Sequence, residues 1–152
     1  MADAPPFDAA PAHRHFSASC FNETWVLIDK PDRSPEDNEQ MIRLAQASLW
    51  HWTQRPDCND TNLSVGYWLA SRVHALVGEP DNARKYARLC QDTAPDEPFY
   101  QGYACEAMAR AELVAGNNAG GREHLKKAWH FAQRVADPEE KQLLVDDLRG
   151  LE

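Results

Sequence analysis

A glycine-centred helical hairpin, Tyr67–Ala94, constrains this chain more than any other stretch. Val65, Leu69, Val73 and Leu76 recur at helical spacing and form one apolar stripe. Gly78 follows them and suits the left-handed conformation that often ends a helix. Pro80 restarts the chain, since its fixed φ matches a first helical turn and its missing N–H is no loss there. Ala83, Ala87 and Cys90 line one face of the second helix with small side chains, so two helices can approach closely; Pro95 stops it.

The hairpin has an echo at Gly116. Counting back from each glycine, Arg72 matches Arg110, Ala75 matches Leu113 and Leu76 matches Val114. The rest of the pattern is also helical. Periodicity predicts helices over about 15–29, 34–55, 62–77, 80–94, 98–115, 118–136 and 138–149. In the first, Phe16, Cys20 and Leu27 interleave with Phe21, Trp25 and Ile28, which predicts a well-buried helix. In the second, Met41, Leu44, Ala45, Ser48 and Trp52 share a side. Ser34-Pro35-Glu36-Asp37 and Asp137-Pro138-Glu139-Glu140 are helix starts, with a capping side chain, a first-position proline and acids where the helix dipole favours them. Gly120-Gly121 weakens the start of its helix by about 1 kcal/mol per glycine and predicts fraying. Residues 1–13, rich in Ala and Pro, are expected to be a flexible arm. The expected architecture for 14–152 is a single all-α domain of about three antiparallel hairpins plus a C-terminal capping helix, because one hairpin cannot bury its own face.

The Tyr67–Ala94 stretch resembles a tetratricopeptide repeat: Trp68 near the start, small residues at Ala70 and Ser71, Gly78 at the turn, then Ala83, Ala87 and Pro95. It departs from that pattern at Ala70-Ser71, where Leu-Gly is usual, and at His74, where an aromatic is usual. The resemblance implies a superhelical stack whose first helices line a concave groove. Its ligand-facing positions fall on Val65, Trp68, Arg72, Tyr103, Glu106 and Arg110. It further implies a non-enzymatic module that binds a protein or peptide segment, since an aromatic beside a guanidinium offers stacking area and a carboxylate clamp. The Lys/Asn clamp that some members use for acidic C-termini is not reproduced. Glu106–Arg110 also reads as an ordinary surface pair one helical turn apart, and Trp68 as core.

Net charge is −8, which disfavours a nucleic-acid backbone and an anionic membrane surface as partners. No run approaches membrane-spanning length and no leader segment is evident, so the expected location is cytoplasmic. Cys20, Cys58, Cys90 and Cys105 form no C-x-x-C pair and read as reduced, mostly buried thiols. His13 and His15 make an H-x-H, but no set completes a metal site, so no metal and no cofactor are expected. No catalytic signature is present: there is no nucleophile elbow or phosphate loop, and the paired acids Glu139-Glu140 and Asp146-Asp147 read as helix-end and surface charge. Two other readings stand beside the groove. One is a small-molecule pocket, or a small enzyme, bounded by Trp50, His51 and Tyr67. The other is self-association through the groove or an end hairpin.

Overall fold

The computed structural model describes residues 5–152. Its regular elements are seven α-helices: α1 (Ala10–Ile28), α2 (Pro35–Thr53), α3 (Asp60–Leu76), α4 (Pro80–Thr93), α5 (Pro98–Val114), α6 (Asn118–Arg134) and α7 (Pro138–Arg149). No strand occurs among the described residues. Prolines begin α2, α4, α5 and α7, as their preference for the first helical position predicts. No described helix is long and apolar enough to cross a membrane. The chain divides into two compact units, Met1–Asn59 and Asp60–Glu152.

The first unit is the α1/α2 hairpin, and α1 differs from expectation twice. It begins at Ala10, so residues 10–13 of the expected arm are helical; residues 1–4 lie outside the described residues. Pro11 sits in the first turn, where it is harmless, and the Ala10 N–H donates to Asp8 Oδ1 at 3.0 Å. The buried stripe is also not the expected large one. Ser17, Cys20 and Thr24 are buried, while Phe16 and Val26 are exposed. The reason is close approach: α2 presents Met41, Ala45, Ser48 and Leu49, and Ser48 Oγ donates to the Ser17 carbonyl at 2.7 Å. A buried hydroxyl needs such a partner. Thr24 satisfies its own by donating to the Cys20 carbonyl at 2.7 Å. Trp52 is only half-buried, under the Arg55 guanidinium at 3.8 Å.

In the second unit α3 pairs with α4, α5 packs on both, α6 pairs with α5, and α7 packs on α5 and α6. This pairing fits a helical repeat stack. The repeat is regular in its backbone: α3 and α5 are each 17 residues, and the equivalent Trp68 and Glu106 stand 38 apart. Gly78 and Gly116 both adopt φ 78°. Around them the backbone bonds coincide. Gly78 N–H donates to Ala75 and Glu79 N–H to His74, at 3.1 and 2.9 Å; Gly116 donates to Leu113 and Asn117 to Glu112, at 3.0 and 2.9 Å. This is the doubled C-terminal closure that a left-handed residue permits.

Packing between the repeats uses small side chains. Ala75, Ala83 and Ala111 form one buried cluster, and Ala87, Ala107 and Met108 another beneath Trp68. Gly121, expected to weaken its helix, is instead where α5 and α6 touch: a Cβ there would stand 2.6 Å from Leu113 Cδ2. Asn117 caps the helix by accepting from the Gly120 N–H at 3.1 Å. At the far end Leu144 and Leu148 of α7 are fully buried among Cys105, Ala128, Ala132 and Val135. At about 1.5–3 kcal/mol for each such leucine, α7 is bound in by hydrophobic burial.

Candidate functional site

The inward positions of α3 and α5 carry a strip of joined polar and aromatic groups. Trp68 and Arg72 are one turn apart on α3; Tyr103, Glu106 and Arg110 follow the same spacing on α5. Glu106 is fully buried. Its Oε2 accepts from Trp68 Nε1 at 2.8 Å, and its Oε1 accepts from Arg110 Nε at 2.8 Å with Nη2 at 2.6 Å. The reading of Glu106–Arg110 as an ordinary surface pair is therefore corrected. The carboxylate lies under Trp68, which turns a weak exposed pair into a buried one that must keep both partners.

A second carboxylate continues the strip. Asp147, on α7, accepts from Arg72 Nη1 at 3.0 Å and from the Tyr103 hydroxyl at 2.9 Å. The sequence alone places it among surface charges, and the structure corrects that. The signal that distinguishes it from Asp146 is spacing: Leu144, Asp147 and Leu148 lie on one helical face, and both leucines are core. The Tyr103 ring meets Trp68 edge-on at 5.1 Å and Phe99 at 5.1 Å. Burial, reinforced by the Asp147 charge, pushes the Tyr103 phenol well above its ordinary range, so it remains a donor. Of the six positions that the repeat resemblance implies as ligand-facing, five are joined in this strip; Val65 stands half-buried on α3 in the turn before Trp68.

The neighbouring nucleophiles are quiet. Burial pushes the Cys90 thiol up to about 12 and raises Cys105, so both are thiols rather than attacking thiolates. Cys20, Cys90 and Cys105 are free and buried.

The residues of the alternative pocket have other neighbours. In the first unit Trp50 and His51 gather with His13: His13 Nδ1 and His51 Nδ1 stand 2.8 Å apart, and the Trp50 ring lies 5.3 Å from His13 and 4.8 Å from His51. Tyr67 belongs to the second unit, where its ring stacks on Tyr86 at 6.3 Å. Tyr86 in turn stacks on His74, whose Nδ1 is 2.7 Å from Glu79 Oε2. Among the described residues no group of three or more His, Cys, Asp or Glu side chains converges as a metal site. No family model, no curated protein and no solved structure matches the chain.

Proposed function

We propose that the chain is a tetratricopeptide-like, non-enzymatic module that binds a protein or peptide segment along the α3/α5 face. One observation carries the reading: Trp68 of one hairpin is joined directly to its equivalent in the next, Glu106, and Arg72 and Tyr103 meet on Asp147 of α7, so that one strip forms whose aromatic and guanidinium groups keep some exposure. Every carboxylate oxygen in the strip already has a donor, so the side chains are held in place before any partner arrives. A preset surface of tryptophan, tyrosine and arginine loses little conformational freedom on binding, and these residue types dominate binding energy at interfaces.

The test is to pan the full chain against random peptides and compare binding to the wild type and to Val65→Arg. That substitution obstructs the face without touching the hydrogen-bonded strip. The expected result is peptides that bind the variant at least about tenfold more weakly, a loss of about 1.4 kcal/mol, with the melting temperature unchanged. If no peptide enriches, or if the enriched peptides bind both proteins equally, the reading fails.

A further inference from the structure

The first unit brings two imidazoles together in a way the groove does not use. His13 closes the first turn of α1 and His51 lies near the end of α2, and their Nδ1 atoms are 2.8 Å apart. The placement is rigid. One turn away on each helix, Ser17 and Ser48 are joined by the buried 2.7 Å hydrogen bond, and Arg55 Nη1 donates to Ser17 Oγ at 2.9 Å. The antiparallel register that pairs the serines therefore also pairs the histidines. Trp50 and Phe16 flank them: Trp50 lies 5.3 Å from His13, and Phe16 lies 5.4 Å from His51. Both flanking rings are exposed, at 55% and 44%, so water reaches the pair.

We infer that His13 and His51 are the protein-supplied half of a site for a divalent transition metal that favours tetragonal coordination, Cu²⁺ before Ni²⁺, with water completing the sphere. The argument is geometric. With metal–nitrogen bonds of about 2.05 Å, two ligands at a right angle stand about 2.9 Å apart, whereas a tetrahedral pair stands about 3.35 Å apart. The 2.8 Å separation is that of the hydrogen bond between the two rings, and it lies nearer the right-angled span than the tetrahedral one. Zn²⁺ in its tetrahedral preference requires the two nitrogens to stand further apart than they do here. In the metal-free pair one Nδ1 donates and the other accepts. On binding, the donating ring moves its proton to Nε2, so both Nδ1 lone pairs face the ion and the neutral pair releases no net proton. Copper also heads the affinity order for imidazole sites.

The experiment uses the full chain with Cu²⁺, Ni²⁺ and Zn²⁺ in turn, followed by calorimetry, with pulsed electron paramagnetic resonance on the Cu²⁺ form. The expected result is one Cu²⁺ bound with two imidazole nitrogens, and affinity in the order Cu²⁺, Ni²⁺, Zn²⁺. His13→Gln and His51→Gln each weaken Cu²⁺ at least about tenfold, or about 1.4 kcal/mol. His15→Gln, one residue off the facing side, leaves binding unchanged. If Cu²⁺ fails to bind, if either glutamine variant binds as the wild type does, or if the spectrum counts fewer than two imidazoles, the pair is proton-bridged only and the site does not exist. The spectrum is read on the wild type, so the decision stands even where a variant fails to fold.

Discussion

The helix ends at Ile28 and at Leu76 solve one problem by different means. Every α-helix leaves its last carbonyls without intrahelical donors. At α3, and again at α5, the backbone closes itself: a glycine at φ 78° turns two following N–H groups back onto those carbonyls. At α1 no glycine is present, and the side chain of Arg33 does part of that work. Its Nη1 donates to the carbonyls of Ile28, Leu27 and Lys30 at 3.0, 3.4 and 3.4 Å, while Nε donates to Asn38 Oδ1 at 3.1 Å. The backbone closure has a cost and a benefit set by one residue's φ. The side-chain closure depends on where the side chain lies, and becomes critical only when its partners are shut away from water. Joints made by side chains should therefore span a wide range of energies, and backbone joints a narrow one.

The largest effect expected belongs to a buried side-chain joint. Glu106→Ala removes the acceptor shared by Trp68 Nε1 and Arg110, leaving a partly buried cation and a partly buried N–H without their partner. The expected loss is about 3–5 kcal/mol, read from the chemical-denaturation midpoint of the second unit. A loss below about 1 kcal/mol, the range of exposed pairs, would mean that water reaches Glu106 and that burial does not rank these joints.

The glycine turns come next and should be nearly equal. A Cβ at Gly78 or at Gly116 meets nothing within 4 Å, so the cost of Gly→Ala is the left-handed backbone alone. About 1–2 kcal/mol is expected at each, the same within a few tenths, by denaturation of the two single variants. A clear inequality would show that the neighbours of the turn, which differ, contribute to its closure.

These differences explain what could be read in advance. The seven helices, their proline starts and both glycine turns were legible, because each depends on residues within a few positions of one another. The pairing of Arg72 with Arg110 as equivalents was legible for the same reason. Asp147 was not. Its partners, Arg72 and Tyr103, lie 75 and 44 residues away, and an acid beside a second acid gives no local sign of which one turns inward. The α1 stripe was not legible, because its large apolar residues do not mark the buried face. Close helix approach selected the small Ser17, Cys20 and Thr24 instead. The role of Gly121 was hidden likewise, since helix propensity registers its flexibility and not the Leu113 side chain that needs the space.

Acid should act on the side chains that brace the two glycine turns. Glu112, four residues before Gly116, accepts from Arg84 at 2.9 and 2.8 Å and from Asn117 at 2.7 Å. The Arg84 hydrogen bond, opposed by some burial, holds its carboxyl down to about 2. Glu79, one residue after Gly78, is lowered in the same sense by Asn82 first and His74 second. A depressed acid stabilises the fold above its ordinary titration range, and that contribution is lost as the pH falls toward the folded value. The melting temperature of the second unit should thus fall between about pH 4.5 and pH 2, and Glu112→Gln should flatten part of that fall. An unchanged pH profile in the variant would assign the acid sensitivity to other carboxylates.

The smallest effect expected is at Arg33, and it decides the comparison. Its three carbonyl partners sit at an open helix end, where water can replace a lost donor. Arg33→Ala should therefore cost only about 0.5–1 kcal/mol, less than either glycine substitution, although it removes more hydrogen bonds. Hydrogen exchange should place the change at the amides of Asp29 and Lys30, which donate to Trp25 and Leu27 across the same end. If protection there is lost while α2 remains as slow to exchange as before, the side-chain closure is local and cheap, as exposure predicts. If the whole hairpin opens instead, Arg33 joins α1 to α2 through Asn38 as strongly as Glu106 joins α3 to α5. Burial would then not be the variable that separates strong side-chain joints from weak ones.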